Sequence, residues 1–245
     1  MRPVPLAAAL VMVLVPAAQA ARRTRPLFEP TDVELEKGGT AELDLSFGFV
    51  KGSEAQRAVL PDFELDLGLF PHVELDVDGA FAIEGQPGVA FSFDHAAPDS
   101  LWLALKTGFG WAGLQAGPKL PVAPGTHGLG FEIVGLGSAN VGPMRMALNL
   151  GGFVEPPFQS NATPYGWEGG FDIALTVTEA WSLTGELATA QFLGGETPQY
   201  SATAGVTWSP NEHVDLSIVT LSGAGGAADR YGLMLGVSPK VTLWK

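Results

Sequence analysis

The chain has 245 residues, with 26 Asp and Glu against 13 Lys and Arg, a net charge of −13 and no cysteine. An acidic chain offers no basic face to phosphates, which excludes nucleic acid as a partner. An exported chain without disulfides is held by hydrogen bonds and packing, which favours a large closed sheet over a small stapled module.

Residues 1–20, MRPVPLAAALVMVLVPAAQA, have the three parts of an export signal: Arg2, an apolar run over 5–17, and the small-x-small site Ala18-Gln19-Ala20. The run is shorter than the ~20 residues that cross hydrocarbon, so cleavage near Ala20 is expected rather than anchoring. Cleavage leaves 225 residues and, with Arg2 gone, a charge of −14. Residues 21–38 form a segment ahead of the first strand; its Arg22, Arg23 and Arg25 read as a charged tail or as a plug at a barrel mouth.

From there to residue 245 about twelve alternating segments follow, without helical period and with glycine, 32 of 245, at about twice its usual ~7%. In TAELDLSFGFV, Ala41, Leu43, Leu45, Phe47 and Phe49 share one face, and Glu42, Asp44, Ser46 and Gly48 the other. DFELDLGLF sets Phe63, Leu65, Leu67 and Leu69 against Glu64 and Asp66. PHVELDVDGAFAIEG admits a second interpretation, because Glu74, Asp76, Asp78 and Gly79 have the spacing of an acidic calcium loop. That interpretation fails: Gly85 stands where the twelfth-place glutamate belongs, Glu74 replaces an aspartate, and strands replace the flanking helices. Alternation continues through LWLALK, WAGLQAGPKLPV, GLGFEIVG, MRMALNLGGF, GFDIALTVT, WSLTGELATA, YSATAGVTWS, VDLSIVTL and RYGLMLGVSPKVTLW.

No apolar run after the export signal reaches ~18 residues, so membrane contact falls to strands. Segments of about ten alternating residues are the mark of a transmembrane barrel, while a soluble lipocalin-like barrel binding a small ligand alternates with the apolar side inward. Two features favour the membrane. Connections at 70–72, 108–110, 178–180 and 209–212 are tight, and those at 51–62, 84–100, 155–169, 191–199 and 222–229 longer, as between a periplasmic and an outer rim; 121–127 and 136–143 fit this less well. Aromatic rings fall at both rims: Trp111, Trp181, Trp208 and Trp244 at the periplasmic one, and Tyr165, Trp167, Tyr200, Tyr231 and Trp102 at the outer one, with Trp102 and Trp244 out of phase. The expected fold is all-β: an outer-membrane, antiparallel, up-and-down β-barrel over residues 39–245, preceded by a periplasmic segment at 21–38.

RPLFEPTDVELEKGGTAELDLSF, through Pro26, Leu27, Asp32, Gly38 and Glu42, resembles the opening of the outer-membrane transporters grouped as MetA-pathway of phenol degradation. FELDLGLFPHVELDVDG is similar to that family's Phe-Glu-Leu hairpin, and MALNLGG at 146–152 to one of its recurring motifs. The resemblance implies passive passage of small molecules, aromatic or otherwise hydrophobic ones included, with outer-membrane lipid and the barrel-assembly machinery as partners. It implies no catalytic residue, metal or cofactor. The C-terminus departs from the in-phase aromatic ending of such barrels: Lys245 takes that phase and Trp244 points the other way.

The same phase turns Glu42, Asp44, Glu64, Asp66, Glu74, Asp76 and Asp78 into the lumen, where they either draw cations or pair with the lumen cations Lys106, Lys119, Arg145 and Lys240. A rim hydrolase would need a histidine on the outer side, and only His95 and His127 qualify, without a serine motif; His72 and His213 fall on periplasmic turns. The loops EPPFQSNATPYGWEGG and SGAGGAADR leave a structural or adhesive barrel as the remaining class, with nothing in them that names a ligand.

Overall fold

In the computed structural model the chain is described over residues 33–52, 56–85, 97–122, 127–156, 165–193, 197–225 and 230–244. Twelve strands follow in order: β1 (Thr40–Lys51), β2 (Gln56–Phe70), β3 (Val73–Gly85), β4 (Ala97–Phe109), β5 (Ala112–Leu120), β6 (Gly130–Val141), β7 (Met144–Val154), β8 (Tyr165–Thr178), β9 (Trp181–Phe192), β10 (Gln199–Asn211), β11 (Val214–Gly225) and β12 (Tyr231–Thr242). Each is antiparallel to its chain neighbours, and β12 pairs with β1 from Thr40–Thr242 to Lys51–Tyr231. The barrel is closed, and no strand keeps a free edge.

Burial along the strands is inverted relative to a soluble sheet. On β6, Gly130, Glu132, Val134 and Leu136 are buried while Phe131 and Ile133 between them are exposed. Leu105, Leu148, Leu150 and Ile218 are 55–65% exposed, whereas Asp66, Glu74 and Asp172 are at 0%. In water such a belt would greatly exceed the few hundred Å² of apolar patch that monomers carry. Hydrocarbon around the barrel removes that penalty, at roughly 1.5–3 kcal/mol for each large side chain. A lipocalin-like barrel has the opposite phase.

Connections sort by rim. Pro71-His72, Gly110-Trp111, Gly142-Pro143, Glu179-Ala180 and Glu212-His213 are two-residue turns on the rim where β1 starts. Gly110 and Gly142 lead their turns with φ of 68° and 61°, the backbone a type II′ hairpin requires. His72 adopts φ 67° without being glycine. It is held by Thr107 Oγ1, which donates to its carbonyl at 2.7 Å, and by a stack on Phe109 at 5.3 Å.

Several expected connections are shorter than the sequence suggested. The one at 51–62 contracts to 52–55 because β2 already begins at Gln56, and its pairing register slips between Val59 and Asp62, which hides the alternation around Pro61. The one at 136–143 is only Gly142-Pro143, since Ser138, Ala139 and Asn140 continue β6; this restores the regular alternation of short and long. The remaining long connections occupy 86–96, 121–129, 155–164, 193–198 and 226–230. Residues 33–38, from the segment expected ahead of the barrel, lie within its turn-side mouth, while the export signal, Arg22, Arg23 and Arg25 fall outside the described residues.

Candidate functional site

The lumen wall is densest in charge on β1, β2 and β3. Glu42 stands opposite Asp66 and Asp44 opposite Glu64; Asp66 in turn faces Asp76, and Glu64 faces Asp78. Facing positions of this kind put Cβ atoms ~4.5–5.5 Å apart, where like charges destabilise a sheet. Two carboxylate triads result, Asp44/Glu64/Asp66 and Asp66/Glu74/Asp76, each with oxygens within 4.8 Å of one another. Such oxygen-only sets suit hard cations. Lys106 and Gln115 already enter the second: Lys106 Nζ donates to Glu74 Oε1 at 3.0 Å, and Gln115 Nε2 to Asp76 Oδ2 at 2.8 Å.

Every expected lumen cation has an acidic partner. Lys119 pairs with Glu132 and with Glu155, the latter at 2.5 Å; Arg145 pairs with Glu34 at 3.3 Å; and Lys240 reaches Glu36 at 2.8 Å and Glu42 at 2.7 Å. Gln115, Glu132, Glu155, Glu34 and Glu36 were not singled out from sequence, although the inner phase of their segments marks Gln115 and Glu132. Across the lumen, Asp172 faces Glu186, which accepts a hydrogen bond from Thr203 Oγ1 at 2.8 Å. The wall from β9 to β12 carries Ser182, Thr207, Ser209, Ser217 and Ser238, all buried. Carboxylates are therefore densest on β1 to β3, and small hydroxyls are interspersed with Glu186 and Lys240 on β9 to β12.

An apolar group interrupts it. Trp102, Ala104, Val134 and Leu136 pack inside the barrel with Val33. Trp102, out of phase with the apolar face of its strand, is a lumen residue, 4% exposed, its Nε1 donating to the Gly117 carbonyl at 3.1 Å. The cause is phase: Leu101, Leu103 and Leu105 take the outward positions of LWLALK. The expected girdle rings face outward. Trp111, Trp181 and Trp208 lie at the turn rim, the last two stacked at 6.0 Å, and Tyr165, Trp167, Tyr200 and Tyr231 lie at the loop rim. Trp244 is also exposed at the turn rim. His127 is exposed on the loop rim, His72 and His213 are on turns, and His95 lies outside the described residues.

At the turn-side mouth, residues 33–38 run inside the ring of strands. The Gly39 N–H donates to the Gly68 carbonyl at 2.8 Å, and the Glu36 N–H donates to Glu74 Oε2. A cavity of about 360 Å³ lies between this segment and Gly108, Ser138, Asn140 and Arg145. Another of about 460 Å³ lies on its other side, against Glu42, Asp215, Ser238 and Lys240.

No family model matches the chain, and no curated protein matches it by sequence. Among solved structures, the COG4313 outer membrane channel from Pseudomonas putida F1 aligns with 87% of this chain and 100% of its own length, at a TM-score of 0.65 and 11% identity. The NanC porin aligns with 81% of this chain and 100% of its own, at 0.57 and 7%. The KdgM porin, in complex with disordered oligogalacturonate, aligns with 80% and 98%, at 0.51 and 8%. At these identities the similarity is one of fold: the chain has the closed barrel of these outer-membrane proteins.

Proposed function

We propose that the chain is an outer-membrane channel that passes small molecules passively, without a chemical step. The observation that carries this reading is the inverted burial around a closed ring: leucines and isoleucines outside, and Asp66, Glu74 and Asp172 inside at 0% exposure. Only a barrel set in hydrocarbon with a polar interior gains from both faces at once. The short-turn rim then faces the periplasm and the loop rim the exterior. Aromatic rings at both rims and the fold shared with channels and porins support the same reading. The finer assignment, to transporters of the MetA-pathway of phenol degradation type with small aromatic or hydrophobic cargo, is supported by the motifs around Pro26, Gly38 and 146–152. Outer-membrane lipid and the assembly machinery are its partners.

Membrane fractionation with heat-modifiable gel migration tests the location, and solute uptake into liposomes holding the refolded chain tests the activity. Recovery in the periplasmic fraction, or liposomes as tight as empty ones, overturns the reading.

A further inference from the structure

We propose that the loop rim over β1 and β12 docks a phosphorylated, acylated saccharide lipid of the outer leaflet, with its phosphate held between Lys51 and Arg230 and its acyl chains laid on the apolar rows beneath. From the channel reading above it takes only that the loop rim faces the exterior. It begins with where the cations are. Of the 13 Lys and Arg, the strand ends and connections of the loop rim hold four: Lys51, Arg57, Lys119 and Arg230. Lys119 is turned into the lumen and taken by Glu132 and Glu155, and Arg57 stands opposite Glu84 in register. The connections at 86–96, 121–129, 155–164 and 193–198 contain neither Lys nor Arg. On a chain of net charge −13, an anionic headgroup therefore meets neutral or repelling surface around most of the rim, and attraction only at Lys51 and Arg230.

The backbone brings these two together. The Arg230 N–H donates to the Lys51 carbonyl at 2.6 Å, and Lys51 faces Tyr231 across β1 and β12, its Nζ 5.7 Å from the centre of the ring. Among the described residues neither cation has a carboxylate partner, whereas Lys106, Lys119, Arg145 and Lys240 each have at least one. Lys51 also continues the outward phase of its strand. Phe47 and Phe49 precede it on β1, and Leu235 and Leu233 face those two on β12. These four are 37–53% exposed, the surface that acyl chains cover. Two further residues of tilted strand lift Lys51 and Tyr231 ~5 Å above them, from hydrocarbon to headgroup depth. A lysine stem laid against a tyrosine ring presents its ammonium at that level while its methylenes stay on apolar surface. Arg230, exposed beside it, adds the planar fork that takes two phosphate oxygens at once. A phosphate monoester carries nearly two negative charges, which a pair of cations matches, whereas the diester of a common phospholipid carries one.

The test uses the full chain refolded in a non-ionic detergent, with heat-modifiable migration to establish that each variant has closed, and native mass spectrometry to count bound lipid A across a titration. Lys51→Gln and Arg230→Gln each remove one rim cation, and Lys37→Gln removes one from the turn side, where its side chain is exposed. The expected result is one tightly held lipid A on wild type and on Lys37→Gln, bound roughly fivefold more weakly by each rim variant and about thirtyfold more weakly by the two together. Lys51→Arg keeps wild-type binding, and lipid A stripped of its phosphates binds wild type and the double variant alike. Phosphatidylglycerol holding as tightly as lipid A would make the site one for any anionic lipid and overturn the assignment. Displacement of lipid A by an equal concentration of inorganic pyrophosphate would make free phosphate the ligand and overturn it too. If wild type and the double variant bind lipid A alike, the site is overturned and the channel stands. If the wild-type chain is recovered in the periplasmic fraction, both fail.

Discussion

Leu148 and Asn149 are neighbours near the middle of β7, one 62% exposed on the outer face and the other 7% exposed on the inner. Leu148→Lys places an ammonium at the hydrocarbon midplane, where a lysine costs ~2–4 kcal/mol. At 1.4 kcal/mol per decade this shifts the folding equilibrium by roughly 30- to 700-fold. Asn149→Lys meets the reverse environment. Its strand neighbours Ala147 and Gly151 face Asp172 and Glu168 on β8, so the new side chain lies diagonal to two carboxylates, within reach of a long residue. The gross attraction, ~4 kcal/mol at 4 Å and an effective dielectric of 20, is largely offset by desolvation, so this variant is expected within about 1 kcal/mol of wild type. The assay is guanidinium titration of chain refolded into phospholipid vesicles, followed by tryptophan fluorescence and gel migration. If Leu148→Lys unfolds with wild type, or Asn149→Lys is the weaker of the two, the outward face does not meet lipid.

Lys106→Met leaves Glu74 buried beside Asp66 and Asp76 and should cost about 3–5 kcal/mol in the same titration, while the double variant Lys106→Met/Glu74→Gln recovers part of it; equal losses would show that the pair is not coupled. Gly117→Ala sets a Cβ on the Leu103 carbonyl and 2.7 Å from Ala104 Cα, both backbone, and should cost about 1–3 kcal/mol, whereas Gly137→Ala, whose nearest neighbour is at 3.7 Å, should stay within about 0.5 kcal/mol. The carboxylates of the inner wall exceed its cations, so a reversal potential measured across a KCl gradient should have the sign of cation preference; a value near zero or of the opposite sign removes the acidic wall from any role in selection.

What was legible in the sequence followed from period two. Wherever a carboxylate alternated with a leucine or valine, as from Glu42 to Leu45 or Glu74 to Val77, inner and outer phase could be assigned, because a strand cannot turn one residue without turning its neighbours. The beginning of β2 is hidden for the same reason inverted: the register slip between Val59 and Asp62 resets the phase where alternation has to be counted. The end of β6 does not show in the sequence, since Gly137, Ser138 and Ala139 differ too little in polarity to alternate. Within the site, the four lumen cations could be placed but their partners could not be chosen among the many carboxylates; Lys119 takes Glu132 and Glu155 only because register and the loop after β7 deliver them. Val33-Glu34-Leu35-Glu36 alternates like any strand, and the side-chain contacts described for Val33, Glu34 and Glu36 are with residues far along the chain.

The pairing of β1 with β12 has a consequence for how the barrel is made. Thr40 finds Thr242, so the ring closes across nearly the whole chain. Until β12 arrives, β1 presents an open row of backbone donors and acceptors, and so does whichever strand was last added. Closing so long a loop carries the largest entropic cost of any pairing in the molecule, and no covalent link shortens it. Assembly is therefore all-or-none at its last step. A chain stopped before residue 231 would be left with two competing edges and every incentive to join a neighbour's, so premature truncation is expected to yield aggregates rather than a smaller barrel.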